Sequence, residues 1–258
     1  MDARSPTSSR QSPWLPFESR RRARVKKREM RLITVGNKGK GIELLSRQPT
    51  QLGQTLELRI QGDISKVKLP LIGAYQAANV LVAAGVVMAS GGNVEDVLGH
   101  IARLQPVRGR LERACITKAG APVYVDYAHT PDGLKAAIAA LRPHTKGKLM
   151  TVFGAGGDRD KGKRAEMGAI AVADSDIAIV TDDNPRNEDP GLIRADIMAG
   201  AKGAHDIGDR RYAIAFAIEH AEPDDIVLIA GKGHEQGQII MGRLLPFDDV
   251  EVARECAA

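Results

Sequence analysis

Cysteine is scarce. The 258 residues hold two, Cys115 and Cys256, and their wide separation gives neither a metal-ligand spacing nor a disulfide framework, which fits a reducing cytoplasm. A membrane-spanning run is missing as well. The one long uncharged window, Leu69 to Val94, is interrupted by Pro70, Gln76, Asn79, Ser90 and Asn93, and its unbroken core from Val80 to Ala89 is too short to cross a bilayer. No G-x-G-x-x-G follows an apolar strand-like run, which argues against a dinucleotide dehydrogenase. Internal repeats are absent too. What is present is 43% apolar positions, enough to bury the core of one large domain or two small ones, so a disordered chain is excluded.

The formal charge is +5, but it is unevenly placed. Residues 1–31 carry ten basic and three acidic side chains, leaving 27 basic against 29 acidic in the rest. The basic character therefore sits in the leader, and the body gives no reason to expect a nucleic-acid or membrane partner. With Pro6, Pro13 and Pro16, abundant Arg and Ser, and no apolar h-region, residues 1–31 read as a disordered basic leader dispensable for folding.

From Leu32 the composition changes. Leu32–Val35, Gly41–Leu45 and Leu56–Ile60 read as strands of a small sheet. Pro70 and Gly73 open an apolar helix that runs to about Ser90 and stops at Gly91-Gly92. A second helix starts behind Asn93 as N-cap, with Glu95 and Asp96 in its first turn, and is expected to reach Leu104. After Pro106 apolar strands alternate with helices. Val123–Asp126 precedes a helix at Gly133–Arg142, Leu149–Phe153 one at Ala165–Ala173, and Ile177–Thr181 one at Pro190–Ala199; a helix at Arg211–His220 leads into Ile226–Ala230. This rhythm predicts an α/β fold with a doubly wound, mainly parallel sheet.

Ligands in such sheets bind beyond the carboxyl ends of the strands. Four of the segments placed there are unusually polar: Asp126–Asp132, Gly154–Arg164, Asp182–Glu188 and Gly231–Glu235. Ordinary connections need a few turn residues. These carry Arg, Lys, His, Asp and Glu together on one edge, which predicts a site. Gly157, Gly162 and Lys163 satisfy the spacing of a phosphate loop, but Arg164 stands where a hydroxyl must ligate Mg²⁺, and the intervening positions are too bulky for amides to close around phosphates. In Asp183-Asn-Pro-Arg186, Pro185 fixes the backbone, Arg186 offers a planar guanidinium to a carboxylate, and Asn184 offers a donor and an acceptor. The same four residues also suit a plain surface turn. Glu235 could pair with an ammonium, beside glycines that allow close backbone approach. His234 alone reads as structural. The chemistry suits an amino-acid zwitterion; no catalytic residue and no metal ligand stand out.

Leu69–Asn79, Leu104–Glu112, Asp126–Asp132, the Gly-Gly-Asp-Arg-Asp-Lys-Gly-Lys-Arg run, Asp183–Arg186 and Gly231–Glu235, in that order, together resemble the Mur ligases, in particular those that add meso-diaminopimelate. The resemblance implies that residues 32–105 are the remnant of a central ATPase domain and 106–258 a C-terminal Rossmann-like domain. It also implies an ATP- and Mg²⁺-dependent, amide-forming reaction in the cytoplasm. ATP phosphorylates the carboxylate of a UDP-N-acetylmuramoyl dipeptide, and the diaminopimelate amine attacks the acyl phosphate during peptidoglycan synthesis. By the same resemblance Arg159, Asn184 and Arg186 hold a carboxylate of diaminopimelate, Asp183, Gly231 and Glu235 surround its distal amine, and Asn79, Arg110, Asp126 and His129 lie near the nucleotide. Gln76 stands where many relatives carry Asn. The family's uridine domain, Gly-Lys-Thr phosphate loop and carbamylated lysine find no match, so the expectation is a truncated, monomeric C-terminal part, inactive alone. The alternative is a non-catalytic amino-acid-binding or regulatory module that keeps the pocket.

Overall fold

A computed structural model describes residues 27, 28 and 32–258. Nearly all of the predicted leader lies outside these residues.

A four-stranded sheet comes first, in the order β1 (Val35–Gly36), β2 (Ile42–Thr50), β3 (Gly53–Ile60) and β4 (Asp63–Leu69). β1 pairs parallel with β2 and the other neighbours pair antiparallel. The run expected at Leu32–Val35 contributes only its last residue to a strand, and β2 extends five residues past Leu45. β4 had no strong apolar signal, because only Val67 and Leu69 of its seven residues are buried. Its hairpin turns at Gln61-Gly62, both with positive φ, the geometry that matches strand twist.

One face of this sheet packs on α1 (Ala74–Ala89) and α2 (Val94–Ile101). Ala77, Val80, Leu81 and Ala84 of α1 meet Leu56, Leu58 and Leu69 from the strands. α2 is capped as predicted, the Asn93 side chain accepting from Asp96 N at 2.8 Å. It ends at Ile101, three residues short of the expected Leu104.

The second layer set is a six-stranded sheet in the order β5-β6-β10-β7-β8-β9. Its strands are β5 (Glu112–Ile116), β6 (Pro122–Asp126), β7 (Leu149–Phe153), β8 (Ile177–Val180), β9 (His205–Asp206) and β10 (Ile226–Ala230). All neighbours are parallel except β5 with β6. β10 is apolar throughout because helices cover both faces of the sheet. Ile226, Leu228 and Ala230 enter the core under α3 (Pro131–Leu141), α4 (Lys163–Asp174) and α5 (Pro190–Met198). Val227 and Ile229 enter the opposite core, under α6 (Arg210–Glu219) and α7 (Asp249–Ala257). A hairpin of β11 (Gly237–Ile240) and β12 (Arg243–Pro246) lies beyond the end of β10.

The two layer sets meet at the β2–β3 turn. Tyr124 donates its hydroxyl to Gln51 O at 2.5 Å, and Gln51 Nε2 donates to Pro223 O at 2.9 Å. Buried His144 faces the Thr50 and Gly53 carbonyls with Nδ1, at 2.8 and 3.0 Å, and accepts from Gly73 N with Nε2 at 3.2 Å. Those contacts place Nδ1–H toward the carbonyls and leave Nε2 unprotonated.

Candidate functional site

The order β6-β10-β7 puts the carboxyl ends of three parallel strands side by side, with β10 inserted between strands joined through α3. The loops leaving them form two clefts that share a wall at Tyr127, His129 and Thr130.

The first cleft, of about 570 Å³, opens between α1 and the end of β6. Asn79, Arg110, Asp126 and His129 all line it, together with Tyr75, Gln76 and Tyr127. The Arg110 guanidinium sits 5.0 Å from the centre of the Tyr127 ring, which also lies 4.6 Å from the His129 ring and 5.0 Å from that of His234. Asp126 builds this wall through the backbone: its carboxylate accepts from Leu111 N at 2.8 Å and Ala128 N at 2.9 Å. Burial pushes its pKa up, against the pull of those two N–H groups and of Arg110. Close approach explains Gly109, because any Cβ there would collide with the backbone of Gly233 and His234.

The second cleft, of about 350 Å³, lies over the ends of β7, β8 and β10. It is lined by Arg159, Asp183, Asn184, Arg186, Gly231 and Glu235, with Gly156, Asp160 and Lys163. Pro185 stays behind the wall, where its carbonyl leaves no room for a Cβ on Gly157. Arg186 holds a left-handed φ of 52°. Its N–H donates to Ile239 O at 2.9 Å, its carbonyl accepts from Met241 N at 2.6 Å, and Nη1 donates to Gly157 O at 2.8 Å. Arg159 is exposed, and no described residue pairs with it. Lys163 donates to His129 O at 2.7 Å. Burial lowers its pKa, with Asp183 and Asp160 opposing.

Asn184 departs from the expected donor-and-acceptor role. Its Oδ1 accepts from Lys232 Nζ at 3.0 Å and Ile239 N at 2.9 Å, while Nδ2 donates to Glu235 at 2.9 Å. Both lone pairs of the oxygen are used, so toward the cleft Asn184 is a donor. Lys232 is fully buried and lies 3.4 Å from Asp183 and 3.7 Å from Glu235. The sequence reading missed it. A lysine held between two glycines at a strand end, Gly231-Lys-Gly233, was the available signal.

The phosphate-loop spacing is disposed of by contacts. Arg164 is buried, with both terminal nitrogens on Glu188 at 3.0–3.1 Å and Nη1 on Asp196 at 2.9 Å. The Arg164 guanidinium, followed by Asp158 N–H, pulls the Glu188 carboxyl down to about 2. Carboxylates of the loop and its neighbour already occupy amides that phosphates would need: Gly162 N donates to Asp160 and Asp158 N to Glu188. Among the described residues no group of three or more His, Cys, Asp or Glu could hold a metal ion. None of the helices described is long and apolar enough to cross a membrane.

Residues 109–233 match the family model for the Mur ligase, glutamate ligase domain. The UDP-N-acetylmuramoyl-L-alanyl-D-glutamate--2,6-diaminopimelate ligase of Zymomonas mobilis is 58% identical over 237 residues, covering 90% of this chain and 49% of that protein. The protein of the same name from Caulobacter vibrioides is 55% identical over 219 residues, covering 85% and 45%. A solved structure of a ligase so named superposes with a TM-score of 0.77 at 34% identity, over 93% of this chain and 50% of the other. The UDP-N-acetylmuramate-alanine ligase of Thermotoga maritima shares the fold, with a TM-score of 0.59 at 17% identity. The chain spans about half the length of the curated relatives it matches. By the match at 109–233 and the likeness to these relatives, the chain carries a Mur ligase C-terminal domain.

Proposed function

We propose that this chain is the amino-acid-accepting, C-terminal part of the ligase that adds meso-diaminopimelate to UDP-N-acetylmuramoyl-L-alanyl-D-glutamate, with residues 32–105 the end of its central ATPase domain and 106–258 its third domain. The observation that carries this is the composition of the smaller cleft. Arg159, the free edge of Arg186 and the Asn184 amide are set beside Asp183 and Glu235. Cations and an N–H donor meet a carboxylate, and carboxylates meet an ammonium, so one pocket complements both ends of a zwitterion. Binding there holds and orients the amine that must meet an activated carboxyl, and orientation is a large share of what such a ligase supplies.

The larger cleft takes the nucleoside end of ATP in this reading, with Asn79, Arg110, Asp126 and His129 around it. Neither the triphosphate nor Mg²⁺ finds a fitting set of groups among the described residues, since Arg164 is consumed by ion pairs and no metal-binding cluster is present. No step is therefore assigned to them.

Calorimetric titration of the purified chain tests the pocket. Meso-diaminopimelate is expected to bind at least about 30-fold more tightly than lysine, which lacks the second carboxylate. Equal affinities, or no binding of either, overturn the reading. Incubation with ATP, the nucleotide dipeptide and diaminopimelate is expected to give no product. Turnover by a contaminant-free sample would show that the phosphates are gripped after all.

A further inference from the structure

Lys232 belongs to no part of the reaction described above, yet its ammonium is fully buried behind the small cleft. Its side chain is fully buried at the end of β10, where Nζ donates to Gly237 O at 2.8 Å and to Asn184 Oδ1 at 3.0 Å. A lysine loses both solvation and rotamer freedom on such burial, so a surface-type role does not explain it. Its contacts do. Lysine has no acceptor and Glu235 has no donor when ionised, so the Asn184 amide has one orientation compatible with both neighbours: oxygen toward Lys232, nitrogen toward Glu235.

We infer that Lys232 is a positioning residue for amino-acid recognition, locking the Asn184 amide so that its N–H groups, and not its oxygen, face the cleft. The inference rests on the reading of that cleft as an amino-acid site. Ile239 N–H and the Glu235 carboxylate, each at 2.9 Å, favour the same orientation, and the buried ammonium adds the charge-assisted bond that makes it hold when a charged ligand enters. With Lys232 in place a carboxylate is accepted beside Asn184 and an ammonium is refused there. Ligand direction in the pocket is thereby fixed. Burial lowers the lysine's pKa, with Asp183 drawing it back up.

Two variants separate this role from mere support of the fold. Asn184→Asp is isosteric and keeps an oxygen for Lys232 and Ile239, but replaces the outward N–H₂ with an acceptor. The new oxygen also meets the Glu235 carboxylate, so binding is read at a temperature where circular dichroism shows the variant folded, and affinity for meso-diaminopimelate should fall there on the order of tenfold to a hundredfold. Lys232→Met removes the ammonium at similar volume and should lose affinity to a similar extent. A ligand-free arm reads the amide itself. In ¹H–¹⁵N spectra of the parent chain the Asn184 side-chain pair should be resolved and slow to exchange with water, and in Lys232→Met it should exchange several-fold faster. If Asn184→Asp binds diaminopimelate as the parent does, or if the Asn184 pair is unchanged in a folded Lys232→Met, the inference is wrong. Should the parent bind no diaminopimelate while the amide pair still responds to Lys232→Met, the locking stands and the amino-acid reading of the cleft fails.

Discussion

Arg186 carries two burdens, a charge and a backbone conformation, and substitution can separate them. An L-residue in the left-handed region costs about 1–2 kcal/mol, and here two backbone hydrogen bonds to β11 and its turn hold it there. Arg186→Ala should weaken diaminopimelate binding by roughly 30-fold to nearly 1,000-fold while barely changing the weak binding of lysine. Arg186→Gly should bind as poorly as the alanine variant yet be more stable than it by about 1 kcal/mol in denaturant unfolding, because glycine enters this conformation freely. Equal loss for both amino acids would show that Arg186 supports the loop and not the specificity. The residue types of this loop were legible in the sequence, since Asp, Asn, Pro and Arg in succession already suggest a carboxylate-binding turn. The direction of the Asn184 amide was not, because it depends on Lys232, which is 48 positions away. The only local mark of that lysine's burial is the glycine on either side of it.

Between elements, the clamp of Arg164 on Glu188 ties the start of α4 to the loop that precedes α5. Glu188 titrates near 2 in the folded chain, against about 4.5 for a free glutamate. Between those values the unfolded chain binds the extra proton, so the stability this carboxylate contributes is full above about pH 4.5 and is lost as pH falls toward 2. Glu188→Gln should therefore lower the thermal midpoint at neutral pH, and the gap from the parent should close on acidification through that window. A gap independent of pH would assign the loss to packing. The elements around this clamp were readable because burial on both sides of the sheet writes continuous apolar runs into the strands and helical spacing into their covers; Leu149–Phe153 and Ile226–Ala230 match β7 and β10 end to end. Elements that the sequence hid have weaker causes. β4 is mostly exposed, β9 has two residues, and β12 is exposed along its whole length, so none shows a buried face in its composition. α7 opens with the acidic residues Asp248 and Asp249, the first its cap and the second buried against Arg210, which masks its amphipathic pattern.

At the scale of the whole molecule, the two sheets are joined through a histidine that must stay neutral. Burial depresses the pKa of His144 below its ordinary value near 6.5, although the Thr50 and Gly53 carbonyls favour the charged form. A proton added at Nε2 would face the Gly73 N–H that now donates to it. Below about pH 6.5 the unfolded chain takes up this proton and the folded one resists, so stability falls as pH drops through that value. The thermal midpoint of the parent should decline between pH 7.5 and 5.5 more steeply than that of His144→Gln. Parallel declines would place the acid sensitivity elsewhere.

Tyr127, His129 and Thr130 form a partition common to both clefts. Any adjustment that one occupant forces on that short segment is felt by the other, so the two affinities are thermodynamically linked. Linkage is symmetric: whatever factor a nucleotide applies to the amino acid's dissociation constant, the amino acid returns to the nucleotide's.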